Sequence, residues 1–458
     1  MSRSFSLKPK QVSKITTKHR KIVTDIPSPS TRDIISRLQK CEPDSMGLEV
    51  PVAWNSARDY QVFDNDGNCW IDFSSGIFVA NVGHSHPKVC KAISKIVDQE
   101  LLHNYYFPSK VRTELVEKLR DMIPNYLDKI FLLTTGSEAT ECAIKISRIF
   151  GRKKNPDKVG IISFEGAMHG KTLGALMAGG KTKEKHWIKN LDSDIHHFSF
   201  PDYTTCKYSE GKKHVCDEIC FQKNIKELEK NVDLKTICAF IIESYQGWGA
   251  LFYPKRYIDA LNKWAKEKDA LIIFDEIQAG FGRTGKLFAF EHYEIKPDLV
   301  CCGKGISSSL PLSAVLGRAE LLNLDSSLNS THGGNPICCA ATLASLEVLE
   351  EEDLVKEANR KGSILETELK KIQTKYSDII ERISGKGLVY AIHLRDLKTK
   401  KLDIELGDLV IEKSMQKGVI LVRTGSGTIK IGPPLTIPDD ALLEGIKVID
   451  DAIKESRK

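Results

Sequence analysis

The sequence has no uninterrupted apolar run of about 18 residues, the length that a membrane-spanning helix needs. It also has no apolar core of a secretory signal near its start, and no internal repeat or low-complexity tract. No dense basic cluster or nucleic-acid recognition motif is present, and a net charge of +6 is small for 458 residues. We therefore expect no membrane span and no nucleic-acid partner.

Acidic residues are missing from residues 1–24, which contain seven lysines and arginines interleaved with Ser and Thr. This composition is typical of a disordered or partly helical basic arm. The alternative is an organellar transit segment, which would place the protein in an organelle matrix. The many lysines and the early Pro9 argue against that alternative.

The remaining composition is that of a globular protein, with 41% hydrophobic and 28% charged residues. A chain of 458 residues is too long for one ordinary core, so a large and a small domain are expected. Of the twelve cysteines, Cys301, Cys302, Cys338 and Cys339 lie in apolar or helical contexts. Buried free cysteines indicate a reducing compartment, and we expect a cytoplasmic location.

Two short apolar runs each end on a residue that can carry chemistry. Asp275 closes the run ALIIFDE, and Lys304 closes DLVCCGK. Both runs are typical of buried strands in a parallel sheet, where ligands bind beyond the carboxyl ends of the strands. An acid and an amine delivered to that edge indicate a site; the alternative is a buried salt bridge.

The residues around this pair resemble a known family. The stretch IIFDEIQAGFGRTG, followed by the lysine of CCGKGISSSLPLSAVLG, resembles the pyridoxal-phosphate (PLP) site of class III (ω-type) aminotransferases. The sequence is similar to 4-aminobutyrate and ornithine aminotransferases. The resemblance implies an α/β fold of PLP fold type I. Its mostly parallel seven-stranded sheet would have helices on both faces, with a smaller α/β domain beside it.

In this family the lysine carries PLP as a Schiff base and the aspartate pairs with the ring nitrogen, which implies these roles for Lys304 and Asp275. The chemistry needs these residue types. An amine with a lowered pKa can act as a nucleophile and then as a proton shuttle. A carboxylate keeps the ring nitrogen protonated, so that the ring can accept electrons.

A phosphate site is predicted where the strand KIFLLTT runs into a helix opened by Glu138. Backbone N–H groups at a helix N-terminus suit a phosphate, although Gly-Ser-Glu is also an ordinary capping sequence. The resemblance implies Gly136 and Ser137 as the phosphate donors.

The resemblance implies five further cofactor contacts. Met168 replaces the aromatic residue that usually stacks on the ring, and a thioether can still cover a ring face. His169 is expected to form a local hydrogen bond, and Glu243 to lie beside Asp275. The other two are Ile277 under the ring and Gln278 at the phenolic oxygen, for which a surface-loop amide is the alternative.

Thr331 matches the family residue that reaches the phosphate of the opposite subunit's cofactor. The resemblance therefore implies a homodimer. The competing interpretation is an ordinary threonine in the turn before a helix.

Substrate contacts depart from the familiar pattern. Ile77 and Phe78 stand where the family places substrate-contacting side chains, although core packing is an equal alternative. Lys171 and Lys430 replace arginines that usually hold the two substrate carboxylates, and Lys430 could instead be a solvent-facing strand lysine. Trp248 stands where members with an arginine switch carry an acid, or it simply packs the pocket wall.

Four potential metal ligands fall within residues 201–235: Cys206, His214, Cys216 and Cys220. They raise a zinc hypothesis, but their spacing matches no common zinc finger. We therefore expect loop packing and no metal, with zinc as the alternative.

Local patterns predict a helix over residues 26–45, a hairpin around Asn65-Asp66-Gly67 and a right-handed βαβ unit over residues 237–276. The domain organisation is predicted as a basic arm (1–24), an N-terminal segment shared with the small domain (25–85), a large PLP-binding domain (86–345) and a C-terminal small domain (346–458).

The expected reaction transfers an amino group from an ω-amino acid, amino acid or amine to a keto acid such as 2-oxoglutarate. The alternative is a PLP-dependent racemase or epimerase on the same scaffold. Racemisation needs a proton donor on the opposite face of the substrate carbon, and no residue can be named for that role from sequence.

Overall fold

The computed structural model describes residues 5–47, 49–105, 107–209 and 214–457. The strands, in chain order, are β1 (Ile15–Thr16), β2 (Lys21–Ile22), β3 (Ser56–Arg58), β4 (Gln61–Phe63), β5 (Cys69–Asp72), β6 (Lys129–Leu133), β7 (Gly160–Phe164), β8 (Ile195–Phe198), β9 (Ile237–Glu243), β10 (Leu271–Asp275), β11 (Leu299–Cys302), β12 (Ser313–Gly317), β13 (Ile380–Lys386), β14 (Val389–Leu394), β15 (Val419–Ile420), β16 (Val422–Arg423) and β17 (Thr428–Ile431).

The helices are α1 (Pro29–Leu38), α2 (Ser75–Phe78), α3 (Pro87–Asp98), α4 (Lys110–Met122), α5 (Gly136–Arg152), α6 (Leu173–Ala178), α7 (Glu218–Leu228), α8 (Lys255–Glu267), α9 (Ala319–Leu322), α10 (Pro336–Glu351), α11 (Leu354–Lys375), α12 (Ile404–Gln416) and α13 (Asp439–Ser456). Within the described ranges, no helix is both long and apolar enough to cross a membrane.

A seven-stranded sheet in the order β6-β12-β11-β10-β9-β7-β8 forms the centre of the molecule. Only β12 runs antiparallel to its neighbours β11 and β6. Alternate residues of β10 point to opposite layers: Ile273 packs in a cluster with residues of α5, and Phe274 in a cluster with residues of α8. Helices therefore cover both faces, and the predicted fold class is confirmed.

The parallel register aligns the carboxyl ends of the inner strands. Asp275, the last residue of β10, lies opposite Glu243 of β9 and Cys301 of β11. The predicted βαβ unit is confirmed, because β9, α8 and β10 follow one another and the two strands are parallel.

Two further sheets are present, and the first of them combines the chain ends. A six-stranded sheet has the order β1-β2-β5-β4-β3, with β15 parallel to β5, so that Val419 pairs with Ile71. A four-stranded sheet has the order β13-β14-β17-β16. The hairpin predicted at residues 65–67 is confirmed by the β4–β5 pairing. The predicted domain boundaries stay predictions.

The helix predicted over residues 26–45 is shorter than expected, since α1 runs only from Pro29 to Leu38. Ser28 precedes it with an extended backbone. Pro43 disfavours helical backbone at Glu42, which explains why the helix cannot continue to residue 45. The stretch ISGKGLVYAIHL spans the turn of an antiparallel hairpin formed by β13 and β14.

The prediction of a disordered or partly helical arm is wrong for the described part of residues 1–24; residues 1–4 lie outside the described ranges. Strands β1 and β2 pair with each other, and β2 pairs with β5. The basic side chains are neutralised by C-terminal acids. Lys10 pairs with Glu412 at 2.7 Å, and Arg20 with Glu444 at 2.7 Å. The composition of residues 1–24 could not predict these contacts, because the acidic partners lie near the other end of the chain.

Candidate active site

A cavity of about 500 Å³ opens beyond the carboxyl ends of β9 and β10. Its lining brings together all the predicted site residues except one: Ile77, Phe78, Gly136, Ser137, Met168, His169, Lys171, Glu243, Trp248, Asp275, Ile277, Gln278, Lys304 and Lys430. The exception is Thr331, which is exposed and lies outside the lining.

Lys304 does not close its strand as expected. Strand β11 ends at Cys302, and Lys304 begins a 3₁₀ turn over Lys304–Ile306. Its φ is +43°, a left-handed conformation that costs a residue with a Cβ about 1–3 kcal/mol and is typical of functional sites. The turn directs the lysine into the cavity instead of along the strand.

The surroundings of the Lys304 amine favour its uncharged form. Burial lowers the pKa of Lys304, and the nearby carboxyl groups of Asp275 and Glu243 act in the opposite direction. Among the described residues, its Nζ has no hydrogen bond or ion pair, so the structure does not contain the alternative Asp275–Lys304 salt bridge. A partly desolvated amine without a partner is the state that a nucleophilic lysine requires.

Asp275 is held by two contacts. Its Oδ2 accepts a hydrogen bond from His169 Nδ1 at 2.8 Å, and its Oδ1 accepts one from the Ile277 N–H at 3.1 Å. The local hydrogen bond expected for His169 is thus present. Nε2 of His169 is buried and has no partner among the described residues. The histidine therefore orients the carboxylate and leaves a second ring nitrogen unpaired.

Glu243 lies directly beside Asp275 and accepts hydrogen bonds from the Met168 N–H at 3.2 Å and the Gly247 N–H at 3.1 Å. Burial, together with the charge of Asp275, raises the pKa of Glu243 to about 7, although His169 and the two hydrogen bonds act to lower it. Since Glu243 fixes the backbone of Met168, it positions the residue predicted to cover the cofactor ring.

The N-terminus of α5 is capped by side chains and still has backbone N–H groups that could bind a ligand. Thr135 and Glu138 form a capping box, in which the Glu138 carboxylate accepts from the N–H groups of Thr134 (2.9 Å) and Thr135 (2.7 Å). Within the described residues, the N–H groups of Gly136 and Ser137 have no protein acceptor. The capping interpretation and the phosphate interpretation are therefore compatible, because different N–H groups serve each.

Close packing explains the glycine at position 136. A Cβ there would lie 3.0 Å from side-chain atoms of Ile277, which itself lines the cavity. Ile277 is thus in contact with the turn predicted to bind phosphate. Ser137 is fixed as well, because its Oγ accepts a hydrogen bond from the Lys171 N–H at 3.1 Å.

Ile77 and Phe78 lie on a left-handed turn. Ser75, Gly76, Ile77 and Phe78 all have φ between +50° and +66°. Ile77 is half-exposed and Phe78 is buried, and both line the cavity. Phe78 thus serves the core and the site at once.

Arg283 holds this turn in place and was missed in the sequence. It is fully buried, and its guanidinium donates to Ser75 Oγ at 3.3 Å and Asn81 Oδ1 at 2.6 Å. Its other terminal nitrogen donates to the carbonyl oxygens of Leu388 (3.1 Å) and Pro433 (2.5 Å). In the sequence, only the position of Arg283 in the motif GFGRTG indicated that it lies near the site.

Lys430 is buried, so its interpretation as a solvent-facing lysine is wrong. Only 2% of its surface is exposed, and its Nζ donates to Gly247 O and Gln278 Oε1. The Nζ also lies 4.2 Å from the Phe78 ring centroid. Burial lowers the pKa of Lys430 well below its usual value, and the charge of Lys304 lowers it further.

At the cavity rim, Lys171 is exposed and forms an ion pair with Glu184. Lys181, which sequence reasoning missed, also lines the cavity and lies 3.7 Å from Glu184.

Trp248 donates from Nε1 to Gln246 Oε1 at 2.7 Å, which favours its interpretation as a wall residue. Met168 is 40% exposed in the lining.

Three other residues near the site carried no sequence signal of their own. Tyr245 donates to Gln278 Oε1 at 3.3 Å. Arg423 lines the cavity, and Asp408 holds its guanidinium at 2.7 and 2.6 Å. Glu276 is fully buried behind the cavity.

Residues 45–453 match the family described as aminotransferase class-III. The chain belongs to the class III aminotransferase family. A 4-aminobutyrate aminotransferase of Mycobacterium leprae is 33% identical to this class III aminotransferase over 445 residues, 94% of this chain and 97% of that protein. A leucine/methionine racemase of Thermococcus litoralis is 30% identical over 429 residues, 92% of this chain and 95% of the racemase.

A solved structure agrees with this assignment. An amine transaminase from an uncultivated Pseudomonas species, in the PLP-bound form, has a TM-score of 0.81 and 25% identity, and the match covers 88% of this chain and 95% of that one. This class III protein is a PLP-dependent aminotransferase, and its cofactor is pyridoxal phosphate.

The described residues of this aminotransferase fit that cofactor. Two free N–H groups at the start of α5 suit its phosphate. The Lys304 amine, the Asp275 carboxylate and the unpaired Nε2 of His169 line the same cavity. These are the donors and acceptors that a phosphorylated pyridine aldehyde requires.

Glu276 provides a test of the electrostatics behind the site. Burial raises its pKa from 4.5 to about 7, despite hydrogen bonds from Ser244 Oγ and from the N–H groups of Ala289 and Phe290. Between these pH values the folded protein keeps the proton that the unfolded chain has lost. Its contribution to the free energy of unfolding therefore falls as pH rises.

For Glu276→Gln, we expect the wild-type minus variant free energy of unfolding to fall by up to about 3 kcal/mol from pH 4.5 to pH 7, because the variant lacks this titration. Urea unfolding at a series of pH values measures the difference. The exposed Glu117→Gln is the control. A wild-type minus variant difference that is constant with pH would contradict the assignment.

Proposed function

We propose that the preferred amino donor is an ω-amino acid and that the acceptor is a keto acid such as 2-oxoglutarate. Other amino acids and simple amines would be weaker donors. Lys430 carries this proposal, because it is a buried amine in the cavity whose two hydrogen-bond acceptors, Gly247 O and Gln278 Oε1, are uncharged.

A substrate carboxylate would supply the negative charge that the two acceptors of Lys430 lack. A buried ammonium whose hydrogen-bond acceptors are uncharged is costly, and burial lowers the pKa of Lys430 although the Glu243 carboxyl acts in the opposite direction. A carboxylate placed at Nζ would restore the charged form and form a charge-assisted hydrogen bond. The Phe78 ring beneath Nζ would hold the aliphatic part of the same substrate.

The rim offers a second place for a carboxylate. Lys171 and Lys181 both line the cavity and share Glu184 as counter-ion. Exposed ion pairs of this kind are worth about 0–1 kcal/mol, so a substrate carboxylate can replace Glu184 at little cost. Two cationic positions suit a dicarboxylate keto acid, and the likeness to a 4-aminobutyrate aminotransferase supports the same substrate class.

Different residues of the chain would bind different parts of the cofactor. Bound PLP supplies a carbon that bonds to amines and a ring that withdraws electrons. Gly136 and Ser137 would bind the phosphate, Asp275 with His169 the ring nitrogen, and Gln278 the phenolic oxygen.

Lys304 Nζ would hold the cofactor at rest as a Schiff base. Released when the substrate amine takes its place on the cofactor, Nζ would move the proton from the substrate carbon to the cofactor, as base and then acid. Its lowered pKa favours the uncharged form that the base must have. Ile277 and Met168 would exclude water from the two ring faces.

Oligomeric state and location complete the proposal. Thr331 is exposed and lies outside the cavity of its own chain, which fits a contact with the cofactor of a second copy in a homodimer. The twelve cysteines are free, which supports a reducing, cytoplasmic location.

Racemisation is the alternative reaction, and one observation favours it. Lys430 is a second buried amine in the cavity that holds Lys304, and the chain is 30% identical to a leucine/methionine racemase. A racemase would use two such groups on opposite faces of the substrate carbon.

Donor and acceptor assays separate the two reactions. We expect 4-aminobutyrate to be consumed only when 2-oxoglutarate is present, with glutamate formed in equal amount. Single enantiomers of leucine and methionine, incubated without a keto acid, should keep their configuration on chiral chromatography. Racemisation without an acceptor would contradict the proposal.

The Lys430 role is tested by Lys430→Met, which keeps the side-chain length and removes the charge. We expect the KM for 4-aminobutyrate to rise about 10–100-fold, because a hydrogen bond to a charged group is worth about 1.5–3 kcal/mol. The KM for n-butylamine, in which a methyl group replaces the carboxylate, should change little. Equal effects on the two donors would remove Lys430 from carboxylate binding.

A further inference from the structure

Four metal-binding side chains converge outside the active-site cavity. One ligand atom each of Cys206, His214, Cys216 and Cys220 lies within 4.8 Å of all the others. The three cysteines are buried and the histidine is half-buried. We call these four residues the Cys₃His cluster. None of them lines the cavity that holds Lys304.

The chain brings the cluster together at the start of one helix. Cys216 immediately precedes Asp217, the N-cap of α7, and Cys220 lies in the first turn of that helix. Cys206 comes from the loop after β8, where its N–H donates to Asp202 O at 2.7 Å. Cys216 and Cys220 therefore lie together at the N-terminal end of α7.

The arrangement exceeds what loop packing requires. Buried thiols that act as small hydrophobes need only apolar neighbours. Here the His214 imidazole enters the same cluster, with Nε2 3.1 Å from Cys220 Sγ. None of the three cysteines forms a disulfide. Convergence of an imidazole nitrogen with three thiols is the donor set of a structural zinc site.

The distances suit a tetrahedral metal ion. Zinc binds thiolate at about 2.3 Å and imidazole nitrogen at about 2.0–2.1 Å, so two sulfurs of a tetrahedral site lie about 3.8 Å apart. Ligand atoms within 4.8 Å of one another need to move by about 1 Å or less to reach that geometry.

We propose that Cys206, His214, Cys216 and Cys220 bind one Zn²⁺ in a closed structural site. Binding releases the three thiol protons to solvent and leaves the imidazole neutral, so no redox step is involved. The unusual spacing in the sequence argued against zinc, but spacing describes known fingers and does not limit a site assembled from a loop and a helix.

The site would also fix a contact between the large sheet and the C-terminal part of the chain. The loop that carries Cys206 also carries Asp202, which pairs with Arg382 of β13 at 2.5 Å. Ser384 of the same strand donates to Gly249 O, next to Trp248 in the cavity wall. Zinc would therefore stabilise the loop from which this chain of contacts starts.

Metal analysis tests the proposal directly. Full-length holoenzyme from zinc-supplemented cells should contain about one zinc per chain by inductively coupled plasma mass spectrometry. After exchange for Co²⁺, it should show the visible bands of tetrahedral cobalt–thiolate coordination at wavelengths longer than those of bound PLP. Less than about a tenth of an equivalent, both as purified and after incubation with ZnCl₂, would overturn the proposal. Detection of a disulfide within the cluster would also overturn it.

Variants locate the metal. Cys216→Ser with Cys220→Ser should lose the zinc, whereas the matched control, Cys41→Ser with Cys90→Ser at exposed positions, should retain it. If the first variant fails to fold, His214→Ala decides the question, because it removes one half-buried ligand and leaves the buried cysteines intact. It should release zinc to a chelator about tenfold faster or more than the wild type. Unchanged release would place the metal elsewhere and contradict the site.

Discussion

Ionisable groups are buried together at the carboxyl edge of the central sheet, and the rest of the site depends on this arrangement. Asp275 and Glu243 end adjacent parallel strands, Glu276 follows directly, and Lys304 reaches the same edge from β11. Burial raises the pKa values of Glu243 and Glu276 and lowers that of Lys304. An aminotransferase needs this mixture of charge states, because one lysine must take up a proton and give it back near neutral pH.

The chain ends complete the site from the other side. The pairing of β15 with β5 and the hydrogen bonds of Arg283 tie the N-terminal turn at Phe78 to the C-terminal strands. Lys430 then enters the cavity from β17, above the Phe78 ring. Because segments far apart in sequence form this side of the cavity, replacement of a few residues there can change its lining while the edge at Asp275 stays the same.

Sequence patterns predicted which residues of the proposed cofactor side line the cavity. Asp275, Gly136 and Ser137 follow apolar strands or open a helix, and such positions depend on local rules of periodicity and capping. These rules placed the end of β10 correctly. They did not predict that β11 ends before Lys304, which lies in a left-handed turn beyond that strand. A residue's conformation at a strained turn depends on tertiary contacts that periodicity does not contain.

The substrate side was less predictable because its contacts are long-range. Lys430 could be read as a surface residue from its strand alone, whereas its partner Gln278 lies 152 positions away. The basic arm looked disordered because its partners, among them Glu412 and Glu444, are more than 400 positions distant. The spacing of the Cys₃His cluster matches no common zinc finger, so the sequence raised zinc only as an alternative; the convergence of the four side chains in three dimensions supports the zinc proposal.

One measurement tests the central claim that Lys304 is the lysine bound to the cofactor. Borohydride reduction of the holoenzyme fixes PLP to its lysine, and mass spectrometry of the digested protein then locates the phosphopyridoxyl group. We predict this group on Lys304, and no such group on any lysine of the Lys304→Ala variant. Labelling of Lys430, the other buried amine in the cavity, or of no lysine in the wild type would contradict it.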